Sequence, residues 1–146
     1  MAKIIKDPVY ITIPLRPITK KNSQRWVKLK GSGLWKLVPS EAYLLYEKNC
    51  KPFIRCKGLL ITGPVNIKTL FYIDADRKCD LSNYIEAIAD ILVHYHVLED
   101  DNRWIVTGWD GSRVYVDREN PRTEITIEPL PHEEAEQLEL TGVGDF

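Results

Sequence analysis

Apolar and polar positions alternate along Val9-Tyr10-Ile11-Thr12-Ile13, and Pro14 and Pro17 follow, which predicts a strand running into a loop. The β-branched and aromatic run Val65 to Ile73 predicts a longer strand. Trp104 to Thr107, Arg113 to Val116 and Thr123 to Ile127 predict three more, with the Asp-Gly turn signal of Trp109-Asp110-Gly111-Ser112 between two of them. Helical patterning occurs twice. Ser40 suits the N-cap of a helix over 41–50, which Pro52 helps to stop. Leu81, Tyr84, Ile85, Ile88, Ala89 and Leu92 fall on one face of a second helix, packed against the sheet. Asp80 stands immediately before it as an N-cap, and Ser82, Glu86 and Asp90 follow one another at i, i+4 on the opposite face. The order predicts an α+β domain: a small mixed or antiparallel sheet with two main helices.

A chain of 146 residues buries one core, not two. Residues 1–129 read as that domain. From Leu130 the sequence has five acids and no base, so 130–146 is expected to be a flexible, frayed tail. No apolar run approaches the ~20 residues of a membrane span, and the N-terminus has no apolar stretch fit for a signal peptide. Cys50, Cys56 and Cys79 are odd in number and lack CxxC spacing, which suits reduced thiols in a cytoplasmic protein.

The net charge of −1 conceals an asymmetry. Residues 1–57 hold thirteen Lys or Arg against three acids, and residues 58–146 hold seven against eighteen. No acid interrupts Arg16, Lys20, Lys21, Arg25, Lys28, Lys30 and Lys36, and Trp26 and Trp35 lie among them. The segment 16–39 also contains Gly31, Gly33 and Pro39 and reads as a long loop. Cations with interleaved indoles suit phosphate neutralisation with stacking on exposed bases; the plainer alternative is a solvated face balancing the acidic half.

Carboxylates bracket the second helix: Asp80 before it and Asp100-Asp101 after it. A helix of about thirteen residues is about 20 Å long, and the seven steps from His94 to Asp101 reach at most about 25 Å. The chain can therefore travel back along the helix toward Asp80. Two or three carboxylates plus phosphate oxygens suffice for Mg²⁺. Such an ion polarises a phosphoryl group and lowers the pKa of an attacking water. Taken alone, the same acids also fit a helix cap and a loop.

Asp80-Leu81-Ser82-Asn83, an amphipathic helix, Val97-Leu98-Glu99-Asp100-Asp101 and a following strand closely resemble the RusA family of Holliday junction resolvases, whose pattern is D-L-D-N, a helix, and E-D-D or D-D. The resemblance covers roughly residues 9–128 and implies a homodimeric, Mg²⁺-dependent (or Mn²⁺-dependent) endodeoxyribonuclease. Such an enzyme nicks four-way junctions symmetrically in the cytoplasm of a bacterium or phage-infected host. It places Asp80 and Asp101 as catalytic metal ligands with Asp100 beside them, and Asn83 as the motif asparagine. Lys20, Lys21, Arg25, Lys28, Lys30 and Lys78 are then the expected DNA contacts.

Two positions depart from the pattern. Ser82 stands where an aspartate is expected, and Glu86 where family members usually carry lysine. A hydroxyl replaces a metal-binding carboxylate poorly, but Glu86 lies one turn along the same face, so it is assigned as the substitute catalytic carboxylate and metal ligand. Lys78 or the basic loop is left to supply the cation. The alternatives are a branched-DNA binding protein of the same fold with weakened cutting, and a single-strand nucleic-acid module resting on the basic loop alone. His94 and His96 are read as solvated or dipole-paired rather than as a metal pair, Asp110 as a turn residue, and Asp74 and Asp76 as solvated.

Overall fold

The computed structural model describes residues 3–20 and 25–141. The main sheet has five strands: β1 (Val9–Ile13), β4 (Val65–Ile73), β5 (Val106–Gly108), β6 (Arg113–Val116) and β7 (Arg122–Pro129). A separate ribbon pairs β2 (Arg25–Lys28) with β3 (Trp35–Val38). The helices are α1 (Glu41–Cys50), followed by a 3-10 turn over Lys51–Phe53, α2 (Leu81–His94) and α3 (His132–Thr141). The fold is α+β and the sheet is mixed. Among the described residues, no helix is long and apolar enough to cross a membrane.

β4 alternates buried and half-buried positions along its whole length. Val65, Ile67, Thr69, Phe71 and Ile73 point into the core, where Ile11, Ile13, Ile125 and Ile127 of the neighbouring strands meet them. β7 pairs antiparallel with both β1 and β4, while β5 and β6 lie parallel on β4's other edge. The Asp110-Gly111 turn therefore does not fold β5 onto β6. The two strands succeed one another along a single edge, at residues 65–66 and 70–73 of β4. Side chains bridge the gap between them. Asn66 accepts from the Asp110 amide at 2.8 Å, and the Ser112 hydroxyl accepts from the Thr69 amide at 3.1 Å and bonds its hydroxyl at 3.1 Å.

α2 buries Tyr84, Ile88, Ala89 and Leu92, as its spacing predicts, together with Ala87 and Ile91. Phe71 of β4 meets Tyr84 with ring centroids 5.3 Å apart. The helix ends in a chain reversal. His96 takes a left-handed φ of 58°, its amide bonds Val93 O at 3.0 Å, and the Val97 amide bonds Leu92 O at 2.9 Å. Leu98 then bridges Ile61 in parallel, and the Glu99 amide bonds Ile61 O at 3.0 Å. These contacts turn Asp100 and Asp101 back along α2.

Two segments differ from the sequence expectation: the strand expected over Trp104 to Thr107 begins only at Val106, and the basic segment is not a loop throughout. The stretch read as a long loop contains the β2–β3 ribbon, because Arg25 to Lys28 and Trp35 to Val38 pair across a turn in which Gly31 and Gly33 supply positive φ. Within the acidic tail, residues His132–Thr141 form α3; Glu133 and Glu134 lie in its first turn, where carboxylates favour the helix dipole, and Ala, Leu, Gln and Glu are strong helix formers.

Ser112 substitutes for a ladder partner at the break beside β4, where it is 4% exposed and Thr69 is fully buried. Ser112→Ala leaves the Thr69 amide and hydroxyl without that partner and should destabilise the fold by about 1–3 kcal/mol. Urea unfolding measures the loss. Adding Thr69→Val should recover part of it, because the orphaned hydroxyl is then removed as well.

Candidate active site

Asp80 occupies the N-cap of α2 with extended backbone (φ −102°, ψ 122°), and its carbonyl accepts from the Asn83 amide at 3.1 Å. Its carboxylate makes no capping hydrogen bond. It stays exposed, and the Asn83 side-chain amide donates to it at 3.4 Å. Asn83 is only 8% exposed, so a buried amide points at an open carboxylate. A purely structural cap would turn its oxygens onto the first amides of the helix. Ser82 and Glu86 are exposed on α2, and Lys78 is exposed just before it.

At the return strand, the Asp100 carboxylate accepts from the Asp101 amide at 2.8 Å and from the Asn102 side chain at 3.1 Å. These bonds, the backbone one foremost, hold its pKa below the usual range. Asp101 is shifted the other way. Partial burial raises its pKa first, and then the neighbouring Asp100 and the negative charge of Asp90 add to the rise. The return segment thus brings Asp101 into the field of Asp90, about ten residues or ~15 Å along the helix axis from Asp80. Among the described residues, no three His, Cys, Asp or Glu side chains are gathered into a ready-made metal cage.

Asp90 is the residue that the motif does not mark. Lys20 Nζ donates to it at 3.0 Å and lies 5.9 Å from the centre of the Tyr43 ring. Tyr43 is buried in α1, and its hydroxyl titrates far above its ordinary value, chiefly through burial and then through the charges of Glu47, Asp90, Cys50 and Glu86. The i, i+4 stripe of Ser82, Glu86 and Asp90 was the signal available in the sequence. What it could not supply was the approach of Lys20 and Asp101 to that stripe.

The remaining candidates are dispersed. Arg25 lies 3.6 Å from Glu41, and Lys28 and Lys30 are exposed on the ribbon and its turn. Lys21 lies outside the described residues. Asp74, expected to be merely solvated, is flanked by Arg16 at 3.3 Å and Arg77 at 3.5 Å. His94 lies 3.5 Å from Glu47, while His96 takes the left-handed φ of the chain reversal.

The oxygen donors fit a hard divalent cation. Asp80, Asp100, Asp101 and Glu86 are all exposed carboxylates; at Asp101 the pKa is raised first by partial burial and then by Asp100 and Asp90, and this second, repulsive part is what a cation would relieve. Mg²⁺ requires only one or two protein carboxylates when water and phosphate oxygens complete its shell.

A family profile described as Endodeoxyribonuclease RusA matches residues 14–128, which include both carboxylate groups and the β2–β3 ribbon. No curated protein matches the chain at a significant level.

Two outcomes follow from this geometry. In metal-free protein, Asp90→Asn should lower the titration midpoint of Asp101, since it removes a like charge that favours the protonated form; carboxyl-carbon NMR reads the shift, and an unmoved midpoint would separate the two groups. Asp80→Ala should cost well under the ~1 kcal/mol typical of a lost N-cap, measured by urea unfolding, because no capping bond is broken.

Proposed function

The chain belongs to the RusA endodeoxyribonuclease family, and from that premise we propose that it resolves four-way DNA junctions as a Mg²⁺-dependent homodimer in the cytoplasm of a bacterium or phage-infected host. Endonucleolytic hydrolysis of DNA comes with the family. The reading rests above all on the Asp80 carboxylate, which is left off its capping role, open to solvent and held by a buried asparagine.

Asp80, with Glu86 one turn further along α2, and Asp101, with Asp100, are the two carboxylate groups proposed to hold metal; Asp101 lies nearer Asp90 than the start of α2, so bound phosphate and water would have to span the two groups. When bound, Mg²⁺ supplies phosphoryl polarisation and a more acidic attacking water. The chain's own residues do the rest. Asn83 fixes the orientation of Asp80. Lys20 offsets the charge of Asp90, so the stripe presents less repulsion to a phosphate arriving near Asp101. Arg25, Lys28, Lys30 and Lys78, with Lys21 of the same basic run, neutralise the DNA backbone. Two coordinated nicks at a two-fold symmetric junction are most simply made by a C₂ pair of active sites.

Ser82 favours a second reading, a branched-DNA binding protein of this fold in which cutting has weakened, because a neutral hydroxyl occupies the place of the motif's second aspartate.

Incubation with a synthetic four-way junction and a matched linear duplex, with and without Mg²⁺, separates the two. The resolvase reading requires paired, metal-dependent nicks in the junction alone. Asp80→Asn, Asp101→Asn and Glu86→Gln should abolish them while sparing binding. Asn83→Ala should slow them about 10–100-fold, the usual loss for a partner that orients a ligand. Glu86→Gln cutting at the parent rate would remove Glu86 from the ligand set. A parent that binds but never cuts with any divalent metal would establish the second reading, and a solution mass that stays monomeric with junction DNA present would overturn the dimer.

A further inference from the structure

The β2–β3 ribbon has one aromatic face. Trp26 pairs with Leu37 and Lys28 with Trp35. Directly opposed residues share a face, as do residues two apart on one strand. Trp26, Lys28, Trp35 and Leu37 therefore form one surface. The indoles are 65% and 61% exposed, and Leu37 is 42% exposed. Leu34, 64% exposed, extends apolar surface into the turn. The opposite face carries the half-buried Val27 and Val38. The ribbon thus turns its large aromatic side chains to solvent, although burying them would have stabilised it.

Charge decides what covers this face. Arg25, Lys28, Lys30 and Lys36 lie within or beside the ribbon, and no acid interrupts the sequence from Arg16 to Lys36. Of these, Lys28 shares the aromatic face and Lys30 lies in the turn beside it, while Arg25 and Lys36 lie on the other face; a second copy packed on the aromatic face would still set Lys28 and the net positive charge of the ribbon against their own kind. A polyanion would not. Phosphate alone needs no indole, and bases inside a continuous duplex have their faces covered by neighbours. Bases at a strand-exchange point do not, and stacking on an aromatic ring suits any of them. Lys20, five residues before β2, is bonded to Asp90 on α2, and Arg25 approaches Glu41 in the first turn of α1.

We propose that Trp26 and Trp35 form a base-stacking surface that selects branched over linear DNA by engaging unstacked bases. The proposal rests on the junction-resolving reading for its substrate, and it concerns selection rather than cutting.

Equilibrium binding without divalent metal tests it, using fluorescent four-way junction and linear duplex of equal length. Trp26→Ala and Trp35→Ala should each weaken junction binding about tenfold, as expected for one lost base stack. Duplex binding should change less than about twofold, and the phenylalanine variants should keep most of the junction affinity. A 2-aminopurine at the branch should be quenched by the parent and not by the double alanine variant. Lys28→Ala and Lys36→Ala should weaken both DNAs alike and flatten the salt dependence. Because the indoles are exposed, thermal melting of the tryptophan variants should match that of the parent.

Tryptophan variants that lose junction and duplex affinity equally, or neither, overturn the proposal. So does a parent that binds both DNAs with equal affinity. Conversion of a free dimer to monomer by these substitutions, at unchanged junction affinity, would assign the face to a second copy instead. A parent that selects junctions through these tryptophans but never cuts them would sustain this proposal while overturning the resolvase reading.

Discussion

The architecture depends on the alternation of β4. Because every second residue from Val65 to Ile73 is buried, its register is fixed: a slip of one position would put Asn66, Lys68 and Tyr72 in the core. β7 can then pair along its whole length, and α2 has a formed surface on which to lay Tyr84 and Ile88. The other edge is divided between two short strands. There Asn66 and Thr69 replace missing ladder bonds with side-chain contacts, so the break costs few unsatisfied groups.

The candidate site is a consequence of how the chain enters and leaves α2. At entry, Asp80 holds the cap position in backbone only, and its carboxylate remains available. At exit, the reversal at His96 and the bridge of Leu98 to Ile61 commit the next residues to a path beside the helix. Like charges meet along that path, and after partial burial, which comes first, they add to the rise in the pKa of Asp101. Such a repulsion is tolerated where the fold is over-determined elsewhere, as it is by the buried apolar residues of α2 and β4. The open arrangement suits an ion whose shell is completed by substrate oxygens.

The basic half and the acidic half of the chain also meet in this region. Lys20 comes from the segment after β1, Asp90 from α2, and Tyr43 from α1, so three parts of the sequence share one patch. The cation that the helix lacks at Glu86 is thus present on the same stripe one turn further on. The ribbon that follows in sequence carries further positive charge at Arg25, Lys28 and Lys36.

Sequence periodicity located β1, β4 and α2 closely, because their apolar positions repeat at the period of the element that buries them, while α1 was marked by its Ser40 cap and the following Pro52. The motif around Asp80 and the pair Asp100-Asp101 was equally legible, since local spacing carries it. The β2–β3 ribbon was not, because its outward face holds Trp26, Trp35 and Leu37, and exposure of apolar residues reverses the pattern on which a strand is read. The parallel pairing of β5 and β6 on one edge was hidden for a different reason: a turn signal gives the bend but not the partner. Nor could spacing distinguish a capping Asp80 from a free one, or reveal that Asp90 draws Lys20 and faces Asp101. Those facts depend on contacts across 70 residues and across the return from α2, and only packing of the whole chain sets them.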